Sequence, residues 1–443
     1  MNPYANRRAR VLAQMHEQGG GVAIIPTAPE VMRNADADYP YRHDSYFYYL
    51  TGFTEPEATL ILIAGDHDQA ILFCREKNQE REIWDGYRYG PLAAKEHFGL
   101  DAAHPIETID TELPKLMANV HALFYALGSS HTLDAQLQTW LGSVRAQVRA
   151  GVTAPSKAID IRVLLNDMRL IKDDHEIAII QRAANISALA HARAMRTSKA
   201  GLREYHLEAE LLHEFRSHGS QFPAYTSIVA AGPNACVLHY RAGDTELRDG
   251  DLVLIDAGCE LDSYASDITR TFPVNGKFSG PQKALYEIVL NSQAAAIAAT
   301  APGKRFTDGH DAALQVLAQG MLDTGLLDKN KVGSLDDVIN NGDYRQFYMH
   351  RTGHWLGMDV HDVGDYRDHV PEGEQKPSRT LAPGMVLTIE PGLYVRPAAG
   401  VPEQFWHIGI RIEDDALVTP SGCDILTHKA PKTVTEIEAV MRG

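Results

Sequence analysis

Short apolar runs separated by turn residues organise the first part of the chain: YFYYLTGF (46 to 53), EATLILIAG (57 to 65), QAILFCRE (69 to 76) and ALFYALG (122 to 128). Their length predicts buried strands. Gly65, Asp66, His67 and Asp68 supply a hairpin turn between the second and third. Helical patterns such as NRRARVLAQMHEQG flank these runs, and the mixture predicts an α/β domain. The texture changes near residue 172. Asp173 and Glu176 have the spacing of a helix-opening capping box, after which Ile177, Ile180, Ala184, Ala188, His191 and Met195 recur at helical period up to Gly201. A second helix is expected over 203 to 217 with Leu207, Leu211 and Phe215 inward, and strand patterns dominate from 226: SIVAAG, DLVLIDAG, ITRTFPV, MVLTIEPGLY and HIGIRIEDDALVT. The expected organisation is therefore α/β (α+β), with one domain over 1–172 and another over 173–443. Neither a tandem repeat nor a low-complexity tract interrupts it.

Composition narrows the function classes. At 443 residues, 44% hydrophobic and 23% charged, the chain is too long for one ordinary core and reads as globular. A formal net charge of −16 argues against a nucleic-acid groove. The opening MNPYANRRARVLAQMHEQGG lacks the apolar stretch of a signal peptide and no run is long enough to span a bilayer, so a cytoplasmic location is expected. Cys74, Cys236, Cys259 and Cys423 are scattered, which suggests buried free thiols rather than a disulfide framework or zinc knuckle.

The chemistry gathers in the second half. Asp256, Asp267, His354, Glu390 and Glu413 each stand inside an apolar or glycine-bounded segment that should be buried. Four carboxylates packed together would repel, each at a cost of several kcal/mol, on the order given for unpaired buried ions. Two divalent cations balance four carboxylates, and a neutral imidazole adds a ligand without charge. If the segment GCELDSY makes the turn, adjacent strands present Asp256 and Asp267 on one face, with Asp262 solvated in the turn. HRTGHWLGMDVHD holds His350, His354 and His361 among glycines and apolar residues; His354 is the ligand of choice, with His350 and His361 donating to substrate. Glu390 ends a strand at Pro391, and Glu413 is expected in mid-strand, on the same face as Arg411, which should hold a carboxylate in place. His191 reads as a satisfied core histidine. Oxygen-rich coordination with one imidazole points to ions such as Mn(II). A pair about 3.5–4 Å apart acidifies a bridging water for hydrolysis of an acyl or phosphoryl bond.

The segments LHY (238 to 240), DAG (256 to 258), SDITRTF (266 to 272), HWLGMDVHD (354 to 362), TIEPGLY (388 to 394) and GIRIEDD (409 to 415) resemble the pita-bread metallopeptidases. APEVMRNADADYPYRHDSYFYYLTGFTEPEATLILI is similar to the leading domain of bacterial Xaa-Pro aminopeptidases, also called aminopeptidase P. The resemblance spans most of the chain. It implies a carboxy-terminal pita-bread domain with two Mn(II) ions and release of the first residue from peptides with proline second. By that likeness Asp256 binds one ion, Asp267 and Glu413 bridge both, and His354 and Glu390 complete the other shell, Glu390 also shuttling a proton. His239 and His361 orient substrate and stabilise the carbonyl oxygen, His350 and Tyr394 line the proline side, and Arg411 supports the bridging carboxylates. Trp84, in EREIWDGYRYG, either reaches a neighbouring subunit's cleft, as in tetrameric relatives, or fills a local core. A homo-oligomer, dimer or tetramer, is expected. The polar segment DYRDHVPEGEQKPSRTLAPG is longer than shorter family members have and is expected at the cleft rim. A dipeptide-restricted prolidase would use the same ligands, a methionine aminopeptidase would lack the leading domain, and a non-catalytic binding module would have lost the ligands. No nucleic-acid or membrane partner is expected.

Overall fold

A computed structural model describes residues 2–371 and 373–443, and the chain separates into two compact units, one ending at Asp167 and the other running from Met168 to Gly443. In the first unit, six strands form one mixed sheet in the order Ala102–Pro105, Gln69–Cys74, Thr59–Ala64, Gly21–Pro26, Ala122–Tyr125, Lys157–Asp160. Thr59–Ala64 and Gln69–Cys74 pair antiparallel across the Gly65 to Asp68 turn, as their apolar runs predict. Val22, Ile24, Ile61, Ile71, Phe73 and Leu123 from this sheet pack with Leu133, Leu137 and Trp140 of the helix His131–Arg145.

The run YFYYLTGF is not a strand. It forms the helix Ser45–Thr51, because Asp44 caps its start by accepting from the Phe47 N–H and Gly52, at φ 69°, ends it in the left-handed conformation. Cap signals at both ends outweigh the strand preference of its aromatic residues.

The second unit opens with the helix Asp174–Thr197, whose capping box joins Asp173 and Glu176 reciprocally. Ile180, Ala184, Ala188, His191 and Met195 are buried along it, while Ile177 is only partly so. His191 is a core residue, its Nε2 2.9 Å from the Ala257 carbonyl. The helix Glu204–Ser217 buries Leu207, Leu211 and Phe215 as expected. Small antiparallel sheets follow: Ile228–Ala231 with Leu252–Asp256 and Thr269–Pro273, Val386–Ile389 with Asp414–Thr419 and Gly422–Ile425, and the pair Gly392–Val395 with Ile408–Arg411. The helices Gly280–Ala299 and Phe306–Asp323 pack on each other, and Leu285, Val289, Leu314 and Leu317 join Val253, Ile255, Ile410 and Ile412 in the main core. Apolar side chains on one face of each strand fix which residues are left for the other. Asp256 and Arg411 belong to that second set. All four cysteines are free thiols, three of them buried.

Candidate metal centre

Asp256 ends the strand Leu252–Asp256, where the register sets it opposite Thr269. The segment GCELDSY between Asp256 and Asp267 does not make a simple turn. It runs out as a second hairpin, Cys259–Leu261 with Tyr264–Ala265, in a separate sheet, with Asp262 at the exposed tip beside Arg182. The chain returns so closely that a Cβ at Gly258 would lie 1.6 Å from the Ser266 carbonyl oxygen, which explains glycine there. The return delivers Asp267 to the same place as Asp256. The Tyr225 hydroxyl lies between them, 2.5 Å from Asp256 Oδ1 and against Asp267 Oδ1.

The remaining carboxylates come from strand breaks. Glu390 follows Val386–Ile389, before Pro391. Glu413 is not in mid-strand: it occupies the gap between Ile408–Arg411 and Asp414–Thr419, because the two halves of that long apolar run pair in different sheets. Its Oε2 accepts a hydrogen bond of 2.6 Å from Thr269. His354 Nε2 lies 3.5 Å from Asp267 Oδ2 and 3.6 Å from Glu390 Oε1. One ligand atom from each of Asp267, His354 and Glu413 falls within 4.8 Å of the other two.

These side chains do not neutralise one another. Burial, with Asp267 adding to it and Arg411 opposing it, pushes the Asp256 carboxyl to about 6. Burial likewise raises Glu390 to about 7, and burial with the neighbouring carboxylates lifts Glu413 well above the usual range. Burial works to depress the His354 imidazolium, but Asp267 and Glu390 outweigh it and raise it to about 9. Asp267 is held below its ordinary value: burial opposes this, and His354 and the Tyr225 hydroxyl overcome it. A cluster in which carboxylates must hold protons at neutral pH is short of positive charge. The donor set fits metal, since adjacent ligands around a six-coordinate ion with bonds of about 2.1 Å lie about 3 Å apart. The 3.5 and 3.6 Å separations at His354 are close to that spacing.

Other predicted residues fall around this cluster. The Arg411 guanidinium donates at 2.6 Å to Asp256 Oδ2 and at 2.9 Å to the Tyr394 hydroxyl, and reaches Glu413 only by way of Thr269 Oγ1. The relay continues: Tyr394 donates to His350 Nε2 at 2.8 Å, and His350 Nδ1 donates to the Arg351 carbonyl at 2.7 Å, which fixes the imidazole tautomer. His361 stacks on His354, ring centroids 3.9 Å apart and 13° from parallel. His239 is exposed and close enough to act electrostatically on both His350 and His361. Trp84 is not a core residue: it is 82% exposed on the short helix Gln79–Asp85, which buries none of its side chains.

Tyr225, Thr269 and Thr388 complete the site and are not singled out by sequence patterns. Thr388 Oγ1 accepts from the His354 N–H at 3.1 Å and donates to Glu390 Oε1 at 3.3 Å. For the threonines a signal exists in spacing alone: Thr388 and Thr269 each stand two residues from a candidate ligand, Glu390 and Asp267, that lies just outside the strand. Tyr225 carries no such mark.

The model of metallopeptidase family M24 matches residues 178–420, and that of the aminopeptidase P N-terminal domain matches residues 4–125. The Xaa-Pro aminopeptidase of Escherichia coli K12 is 45% identical over 99% of this chain and 97% of its own, and Xaa-Pro aminopeptidase 3 of Rattus norvegicus is 35% identical over 99% and 85%. Among solved structures, aminopeptidase PepP of Pseudomonas aeruginosa superposes with a TM-score of 0.95 at 49% identity, covering 99% of this chain and 97% of that one. A zinc-substituted E. coli aminopeptidase P in complex with product gives 0.93 at 44%, covering 99% and 98%. With acidic side chains and an imidazole converging in a pita-bread domain and both halves matched along the sequence, the chain belongs to metallopeptidase family M24, in the branch that carries an aminopeptidase P amino-terminal domain.

Proposed function

We propose that the protein is a metal-dependent aminopeptidase that releases the first residue from peptides with proline in the second position. The observation that carries this is the convergence of Asp256, Asp267, His354, Glu390 and Glu413 in a chain alike along its length to Xaa-Pro aminopeptidases. The five would hold two divalent ions, and hard oxygen donors with one imidazole favour Mn(II). When bound, such a pair polarises a carbonyl and lowers the pKa of a water. Asp256 would hold one ion, Asp267 and Glu413 both, His354 and Glu390 the other.

The chain's own groups account for the rest. Glu390, beside His354 at the edge of the cluster, would take a proton on its carboxylate from the attacking water and return it to the departing proline nitrogen. His361, stacked on His354, and His239 beside it donate to the carbonyl oxygen as it gains charge. His350 and Tyr394 form the proline wall, their orientation locked by the relay from Arg411. A prolyl bond has no N–H to offer, so shape and ring packing must supply the recognition. The amino-terminal domain over 1–172 and the catalytic domain over 173–443 are the proposed functional division. Ile83, Trp84, Tyr87 and Leu92 expose apolar surface close together in sequence, which supports a homo-oligomer in which Trp84 reaches a neighbouring subunit's cleft.

A peptide panel tests the assignment. An Xaa-Pro-Xaa tripeptide should be cleaved to the free first residue, and replacing proline by alanine should lower kcat/KM at least about tenfold. Equal rates for both contradict the proline assignment, and an intact tripeptide beside a cleaved Xaa-Pro dipeptide makes the enzyme a prolidase. His361→Ala should lower kcat about 10²-fold, the scale of one lost transition-state donor. Metal stoichiometry should stay unchanged in that variant, and its loss would make His361 a ligand.

A further inference from the structure

Behind the strand Val386–Ile389 lies a cavity of about 290 Å³, at the lower edge of the size range for ligand sites, about 300–1,000 Å³. Its apolar wall is Phe306, Leu387 and Ile389, and Tyr366 of the polar segment that follows the histidine-rich loop borders it. Thr388 Oγ1 turns to the other side of the strand, toward His354 and Glu390, so this cavity is distinct from the metal cluster.

The polar groups facing it are donors in want of an acceptor. His310, 9% exposed, uses Nδ1 at 2.8 Å from Thr352 Oγ1, and that hydroxyl is 2.6 Å from the Tyr348 hydroxyl. Tyr348 is fully buried and its hydroxyl has Thr352 Oγ1 as its one hydrogen-bond partner among the described residues, so its O–H donates there. Thr352 must then donate to His310 Nδ1, which leaves the His310 proton on Nε2. That N–H has no acceptor among the described residues. The exposed Arg351 guanidinium on the same wall also makes no hydrogen bond or ion pair among them, in a chain with 58 acidic and 42 basic side chains. The Tyr366 hydroxyl accepts from the Trp355 N–H and keeps its own proton to give. The first turn of the helix Phe306–Asp323 lines the cavity through Phe306, Thr307 and Gly309 and adds the positive end of its dipole.

We propose that this cavity is a second ligand site, for a small carboxylate with a compact apolar or aromatic body. The carboxylate meets Arg351 and the His310 Nε2–H, and the body lies against Phe306, Leu387 and Ile389. Its occupancy bears on catalysis through the cavity wall. The Thr352 carbonyl accepts the Glu390 N–H at 2.8 Å, and the His354 carbonyl accepts the Thr388 N–H at 2.9 Å. A Cβ on Gly353 between them would lie 2.0 Å from the Thr388 carbonyl oxygen, so the loop is seated hard on the strand with no slack to absorb a displacement. An occupant that moves Thr352 or Gly353 moves two metal ligands.

Phenylacetate and its neutral isostere phenylacetamide test this on the metal-loaded enzyme, by calorimetry and by inhibition of tripeptide cleavage. Expected are saturable phenylacetate binding, at least about tenfold weaker binding of the amide, and a similar loss in Arg351→Gln, the scale of a hydrogen bond to a charged group. Inhibition should lower kcat while KM for the peptide stays. His310→Phe, which fills the cavity and removes the donor, should abolish binding; if that variant fails to fold, Arg351→Gln, at an exposed position, decides. No saturable binding, or equal binding of acid and amide, overturns the proposal. So does competitive inhibition unchanged in Arg351→Gln, which would place the carboxylate on the metal ions instead.

Discussion

Asp267→Ala is expected to abolish peptide hydrolysis, with kcat/KM falling at least about 10³-fold, beyond the roughly 10–100-fold typical of lost outer-shell partners. The position of Asp267 is the reason. It lies 3.5 Å from His354, shares the Tyr225 hydroxyl with Asp256, and is grouped with Glu413 within ligand reach. Its removal takes one anion from the place where the proposed pair of cations would sit, so metal content measured on the purified protein should fall as well. The fold should survive with a modest loss: in the protein stripped of metal the ionised Asp267 carboxylate is held by His354 and the Tyr225 hydroxyl, and its removal should lower the melting temperature of the stripped protein slightly. Full activity with full metal content would remove Asp267 from the centre.

How much of this was readable beforehand differs by level. Local signals carried the helices: the capping box of Asp173 and Glu176 marks the start of a helix that runs to Thr197, as the pattern requires. The same kind of signal, Asp44 and Gly52, corrects the run 46 to 53 from strand to helix. Charge within apolar segments was enough to single out residues that share the centre, since an ionised group in a strand that must be buried needs a partner. What could not be read is how chains cross. Pairing of the two halves of GIRIEDDALVT in separate sheets leaves Glu413 in a break, and the excursion through Cys259–Leu261 and Tyr264–Ala265 replaces a turn. Both are decided by tertiary pairing and not by local pattern. Tyr225 meets Asp267 only because the strand after it, Ile228–Ala231, pairs with Leu252–Asp256, a contact with no local signature. Trp84 shows the converse case. Its aromatic surface predicts burial, yet the helix that carries it buries nothing within the described chain.

Metal affinity is expected to climb steeply with pH, and stabilisation by metal with it. In the protein stripped of metal, Asp256 is raised to about 6 and Glu390 to about 7, and His354 to about 9. All three must give up a proton before they can coordinate, so each proton displaced costs about tenfold in affinity per pH unit below its pKa. Between pH 7 and 5 the apparent affinity should fall by roughly 10³-fold or more on that basis. The sign for stability follows from the same shifts. A group whose pKa is higher folded than unfolded stabilises the stripped protein below the unfolded value, and that contribution is lost as pH rises through the folded one. For Asp256 and Glu390 the window runs from the ordinary carboxylate range to about 6 and about 7, and for His354 up to about 9. Asp267 acts oppositely, but its window lies below the ordinary carboxylate value. Chelation should therefore lower the melting temperature more at pH 8 than at pH 5.5. Calorimetric melts with and without chelator at the two pH values, beside manganese titrations across the same range, measure both. A chelator effect that is larger in acid, or an affinity flat from pH 5 to 7, would mean that these carboxylates and this imidazole are not the ligands.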